Sequence, residues 1–261
     1  MLIVVVLGVG AGVAYKIYQQ RQFVKEAVPA AVDFAMVESQ QTQSTVRTTS
    51  TALATSISTT TSTSTSNAPA ELNLKMTFYS QAPFGDWSFP WQEACEEASA
   101  LLVANTYFHH NWSRENFRDE ILKLVEWETK TFGDYKDTNA AQIARFLKEY
   151  LGLDSKVYTD PSFEDVRTIL ERGHFILMPF DGKLIGNPNY KNGGPVYHVM
   201  VLKGFKVGAS QKIITEDVGT RNGEDYVYPW STLQNAMHEF AVPMSRGAKV
   251  MIEVLPPAPS A

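Results

Sequence analysis

Cys95 is the only cysteine among 261 residues. It lies in Pro90-Trp91-Gln92-Glu93-Ala94-Cys95-Glu96-Glu97-Ala98-Ser99, where Pro90 suits a first helical turn and Ala94, Ala98, Leu101 and Leu102 recur at helical spacing. The pattern predicts a helix with Cys95 within about two turns of its N-terminus, where free N–H groups and the helix dipole favour thiolate over thiol. The chemistry on offer is nucleophilic attack. Glu93, Glu96 and Glu97 oppose the ionisation, but at about 100° per residue only Glu96 stays close to the sulfur. The dipole is worth roughly 0.3–1 kcal/mol, whereas a nearby imidazolium can shift a thiol by several pKa units, so activation is expected from a histidine. A small buried core thiol is the competing reading.

His198 is the candidate base. It sits in the apolar run Tyr197-His-Val-Met-Val-Leu202, where strand alternation puts it on one face with Met200 and Leu202. Its competing reading is a core histidine satisfied by a backbone carbonyl. The next run, Lys212 to Asp217, offers two adjacent carboxylates, of which only one can face the imidazole; Asp217, at the strand end before Val218-Gly219-Thr220, is the expected partner rather than Glu216. His109-His110 lacks carboxylates or thiols at ligand spacing, so no metal site is read there, and no cofactor signature appears. The turn-rich stretch from Asp181 to Pro195 is either a plain loop or a lid beside the base. Trp87 and Trp91, flanking the cysteine turn, are expected to pack in the core first and to stack on substrate second.

These residues need elements to hold them. Leu74, Met76 and Phe78 alternate as a strand. Helices are expected after caps at Ser113 and Thr138, the latter ending at Gly152, and from Ser162 to Arg172, where Asp165 completes a capping box. Strands follow at 174–178, 197–202, 212–217, 226–228 and 249–254, with a last helix starting at Ser231. Helices first and strands second make an α+β fold.

The chain carries a formal charge of −5 with 44% hydrophobic and 11% aromatic residues. That supports one main domain, a monomer, and argues against nucleic-acid binding, since no basic stripe occurs. One cysteine precludes an internal disulfide. Met1 to Tyr15 is an uncharged apolar run, short of the roughly 20 residues of a full span but extendable through Tyr18 if Lys16 snorkels. Residues 1–18 are therefore read as a transmembrane or signal-anchor segment, with a cleaved signal peptide as the rival. Lys16, Arg21 and Lys25 would hold the following chain in the cytoplasm. The Ser/Thr-rich stretch from Thr42 to Ser66 is a flexible tether of the kind that holds a domain away from a membrane, often across a cell wall. The expected layout is an anchor over 1–18, a disordered linker over 19–70 and a catalytic domain over 71–256, single-pass at the membrane and extracytoplasmic.

Four blocks in order carry a resemblance: Tyr79-Ser80-Gln81, Cys95-Glu96-Glu97-Ala98-Ser99, Tyr197-His198-Val199-Met200-Val201, and Glu216-Asp217-Val218-Gly219-Thr220 followed by Gly223 and Tyr226. Over roughly Leu72 to Val254 the sequence resembles the bacteriocin-processing (double-glycine leader) cysteine peptidase-like group of the papain-like superfamily. The resemblance implies a papain-like fold, with the cysteine in an N-terminal helical part and His and Asp in a C-terminal antiparallel sheet. It implies a bacterial thiol hydrolase acting on a peptide or protein, such as a cell-wall peptide, through a thioester. Cys95 would attack, His198 serve as base, Asp217 orient it, and Gln81 line the oxyanion hole, with Gln92 as the alternative. A non-catalytic peptide-binding domain and an acyl transferase are the competing functions. Cys-Glu-Glu-Ala-Ser stands where leader peptidases have Cys-Gly-Pro-Ala, and the transporter domains of those proteins are missing, so leader processing is not implied.

Overall fold

The computed structural model describes residues 25–40 and 69–258. Seven strands form one antiparallel sheet: β1 (Glu71–Asn73), β2 (Ser155–Thr159), β3 (Phe175–Asp181), β4 (Tyr197–Val207), β5 (Gln211–Glu216), β6 (Tyr226–Pro229) and β7 (Val250–Val254). The order is β2-β7-β3-β4-β5-β6, with β1 joining β4 at Gly204 to Lys206, beyond the part paired with β3. Nearly every residue of β3 and most of β4 are buried, so the sheet centre is covered on both faces. The covering helices are α1 (Cys95–Tyr107), α2 (Arg114–Phe132), α3 (Ala140–Glu149), α4 (Phe163–Glu171), the single turn α5 (Gly182–Ile185) and α6 (Trp230–Ala236).

Local sequence explains most of these elements. Ser113 and Asn139 cap α2 and α3 in reciprocal boxes with Asn116 and Gln142, and Ser162 caps α4 with Asp165. The second cap is Asn139 rather than Thr138, one residue later than expected. In α1 only Thr106 of 13 residues escapes burial. Buried on every face despite Glu96, Glu97 and Asn105, α1 lies along β3 and β4, where Ser99 Oγ donates to Val199 O at 3.1 Å and Tyr107 OH to Val254 O at 2.8 Å.

Three of these expectations are corrected, and one strand is added. Pro90 does not open the cysteine helix: Trp91–Glu93 form a separate 3-10 turn, and α1 begins at Cys95. The last helix begins at Trp230, with no side-chain cap, so Ser231 lies inside it. The first strand stops at Asn73, although Leu74 continues as an isolated bridge to Val32. β2 was not anticipated, because an exposed edge strand has little alternation of burial to read.

The expected linker over 19–70 is corrected in part, since residues 25–40 pack on the domain. Val32 N–H donates to Asn73 O at 2.9 Å and Val32 O accepts from Lys75 at 2.7 Å. Phe34 is 6% exposed, with its ring 4.9 Å from Tyr107. Gly173, at φ +83, admits this segment: a Cβ there would lie 2.6 Å from Phe34 O. Glu26 is paired with Lys206 and Lys212. The anchor over 1–18 and the tether at 42–66 lie outside the described residues. Among those described, no helix is long and apolar enough to cross a membrane.

Candidate active site

Ala94, at φ −102 and ψ 35, breaks the backbone between the 3-10 turn and α1, which makes Cys95 the first residue of an α1 that no side chain caps. The thiol is 4% exposed. It donates to Glu96 Oε2 at 2.9 Å and accepts from Val199 N–H at 3.3 Å. Burial, then the charge of Glu96 and its hydrogen bond, push the Cys95 thiol well above its ordinary range, and the Val199 N–H only partly offsets them. The expected lowering by a helix terminus and an imidazole is thus reversed. The sulfur has lost water, its nearest charge is negative, and no hydrogen bond joins it to His198.

Glu96 is held from its other oxygen, Oε1, by Thr138 N–H at 2.9 Å and Thr138 Oγ1 at 3.3 Å, while Thr138 O accepts from Tyr197 OH at 2.8 Å. Burial raises the Glu96 carboxyl to about 7. Glu97 and Glu128, both fully buried, lie near each other, and no donor reaches any of their carboxyl oxygens. Burial, and for Glu97 the charge of Glu128 next, pushes both carboxyls upward, Glu128 to about 8.

His198 stands on β4, 1% exposed, and Asp217 is the first residue past β5. Alternation splits the adjacent carboxylates. Glu216 pairs with Lys203 at 2.8 Å, and Lys203 also reaches Asp225 at 2.6 Å, whereas Asp217 Oδ1 lies 2.8 Å from His198 Nε2. Burial alone would raise Asp217, but the imidazole charge and the hydrogen bonds of His198, Tyr228 and Tyr190 outweigh it and hold the carboxyl low. A carboxylate only accepts, so Nε2 carries the proton and Nδ1 is left as the basic nitrogen.

The turn after β5 fits closely. Gly219 N–H donates to Asp217 Oδ1 at 3.1 Å, and a Cβ at Gly219 would lie 2.8 Å from His198 Cε1. Asp217 Oδ2 accepts from Asn187 Nδ2 at 2.9 Å, Tyr190 OH at 2.7 Å and Tyr228 OH at 2.6 Å. Sequence reasoning missed these three. Tyr228 follows the β6 alternation without advertising a role, and the signal for Asn187 and Tyr190 was only that their loop runs directly into β4.

Gln81 is buried and ties the two halves together. Its backbone N–H donates to Val218 O and its Nε2 to Trp91 O, each at 2.9 Å, which leaves a second amide N–H. Gln92 is exposed. Trp91 and Trp87 are both half-buried, and Trp91 packs against the core. His109 stacks on Phe34 and His110 on Trp112, and among the described residues no group of His, Cys, Asp or Glu could hold a metal ion.

A family model described as the Peptidase_C39 like family matches residues 71–241, well over half of the chain. The chain belongs to that family. The C39-like match contains Gln81, Cys95, His198 and Asp217, while residues 25–40 precede it and β7 follows it. Among solved structures, the C39-like chain is similar to a candidate C39-like peptidase from Bacillus anthracis, with 14% identity, a TM-score of 0.45, and coverage of 70% of this chain and 95% of that one. It is also similar to UfSP from C. elegans, with 12% identity, a TM-score of 0.40 and coverage of 79% of this chain; the match spans 36% of the UfSP chain. A comparison with curated proteins found no match.

Proposed function

We propose that this C39-like chain is a cysteine peptidase that cleaves peptide or amide bonds through Cys95, His198 and Asp217. The observation that carries the reading is the placement of the thiol: Sγ accepts the N–H of Val199, the neighbour of a histidine whose Nε2 is fixed by a buried aspartate. Nucleophile, base and orienting carboxylate thus come from the start of α1, β4 and the end of β5.

In this mechanism the thiol leaves Glu96 and passes its proton to His198 Nδ1. The thiolate attacks the substrate carbonyl carbon, a C–S bond forms, and the oxygen takes the negative charge. Gln81, through its remaining amide N–H, and the backbone N–H of Cys95 stabilise that oxyanion; the uncapped start of α1 supports the second role. Collapse breaks the C–N bond, and the amine leaves with the proton from the imidazolium. Water, deprotonated by His198, then hydrolyses the thioester and releases acid and thiol. Gln81 is preferred to Gln92 because it is buried and bonded to both turns of the site. The substrate is a peptide or protein, with a cell-wall peptide in keeping with a tethered domain. The apolar 1–18 segment and the Ser/Thr-rich stretch would supply the tether and hold the domain outside the membrane.

A non-catalytic peptide-binding domain has one observation in its favour, the hydrogen bond of the resting thiol to Glu96 instead of the imidazole. Incubating the full chain with a peptide library and reading new termini by mass spectrometry separates the two. New termini that disappear in Cys95→Ala are expected. Peptides retained intact by both proteins would establish the binding domain and overturn the peptidase.

A further inference from the structure

Five hydrogen bonds converge on the Asp217 carboxylate, and only one comes from the imidazole. Oδ1 receives His198 Nε2 and Gly219 N–H; Oδ2 receives Asn187 Nδ2, Tyr190 OH and Tyr228 OH, all within 3.1 Å. Asn187 Nδ2 also reaches Tyr228 OH at 2.6 Å, and the Tyr190 ring stands edge-on to the His198 ring, with centroids 5.5 Å apart. All of these side chains are buried.

Asn187 and Tyr190 belong to the loop between α5 and β4, and that loop is braced from within. Asn187 Oδ1 accepts from Asn189 N–H and Nδ2 at 2.9 Å, Asn189 Oδ1 accepts from Asn222 at 2.8 Å, and Lys183 Nζ donates to Asn192 O at 3.1 Å. Pro195 O and Gly182 are packed so closely that a Cβ on Gly182 would lie 2.6 Å from that oxygen. Such a segment is built to hold a position, and its buried polar groups are directed at one acceptor oxygen.

We infer that this loop is the support of the proposed acid–base pair: Asn187 and Tyr190, with Tyr228 from β6, are positioning residues that fix Asp217 so that Oδ1 alone faces His198. With Oδ2 saturated, the carboxylate cannot rotate to present its other oxygen without breaking three bonds. It remains ionised despite complete burial, and the imidazole stays in the tautomer with Nδ1 free. The inference rests on the cysteine peptidase reading, because a positioning role has meaning only if His198 acts on Cys95.

The test is the pH–rate profile of Cys95 alkylation by iodoacetamide in the full chain, which has no other thiol to react. Tyr228→Phe and Tyr190→Phe each remove one donor oxygen and keep the ring. Losing one hydrogen bond to a buried carboxylate is expected to slow alkylation about tenfold at neutral pH. Because each lost donor lets the Asp217 carboxyl titrate higher, the acid limb should move up by about one pH unit. Tyr158→Phe, which removes a phenol bonded to Glu253 at the far edge of the sheet, should leave the profile unchanged. Thermal unfolding of each variant shows whether it is folded, and Asn187→Leu, which deletes the third donor without altering either tyrosine, repeats the test independently. If His198→Ala slows alkylation but the three positioning variants keep the wild-type profile, the inference is overturned. If His198→Ala itself leaves alkylation unchanged, the peptidase reading fails and takes the inference with it.

Discussion

At Cys95 two opposed influences meet. The start of α1 and the Val199 N–H favour a thiolate, and burial with the Glu96 carboxylate favours the thiol; in the resting site the second pair wins. Glu96 therefore acts as a restraint on the nucleophile. Glu96→Gln removes the negative charge and puts an amide beside the sulfur, while Thr138 can still donate to the remaining carbonyl. The Cys95 pKa should fall by about one unit, and alkylation at pH 8 should rise about tenfold. An unchanged or slower rate would show that Glu96 does not restrain the thiol. Residue types and helical angles were enough to single out Glu96 as the close carboxylate; strand alternation left only one of Glu216 and Asp217 for the imidazole, and the place of Asp217 at the strand end chose between them. The sign of the thiol shift was not legible. It depends on how completely α1 is enclosed, a property of packing between distant segments and not of the local stretch.

At the scale of elements, the site depends on where three backbone segments end. β5 stops at Glu216, so Asp217 can turn toward His198, and the following Gly219 passes against the imidazole. Gly219→Ala would push a methyl into the ring. Since Gly219 is on a turn and not in the sheet, the expected result is nearly normal unfolding with alkylation slowed at least about tenfold, because a small misplacement of a catalytic group is costly. Strong unfolding with retained reactivity in the folded fraction would contradict this. The strand carrying His198 and the one leading into Asp217 were readable because β-branched and apolar runs bounded by turns leave a clear pattern. β2 was not, since its side chains are mostly exposed at the sheet edge, and the Asn187–Tyr190 support was not, since loop contacts obey no period. The cysteine helix was placed too early because Pro90 suits a 3-10 turn as well as an α-helical one.

Over the whole molecule, the folded unit extends beyond the family match at both ends. Phe34 fills a site between Tyr107 and Phe175, so Phe34→Ala should cost about 3–5 kcal/mol, measured by denaturant unfolding. No loss of stability would show that residues 25–40 are an appendage. That segment is richer in Ala and Val than the Ser/Thr stretch after it, but it is too short to show a period, and only its long-range partners reveal that it packs. Buried acids set the pH response. Burial raises Glu96 to about 7 and Glu128 to about 8, while an unfolded Glu titrates near ~4.3. Between those values the folded chain holds protons that the unfolded chain has released, so stability falls as pH rises through this window. Asp217 and Glu253, both lowered, act oppositely but only in more acidic solution. The unfolding midpoint should thus be higher near pH 5.5 than near pH 8.5, and the reverse order would contradict the burial of these groups. The most direct measurement of the central claim is intact-mass detection of labelling by a peptidyl acyloxymethyl ketone at pH 7, comparing the full chain with His198→Ala. A single adduct on the wild type and strongly suppressed labelling of the variant, both proteins being folded, is the expected result; equal labelling of the two would show that His198 does not activate Cys95.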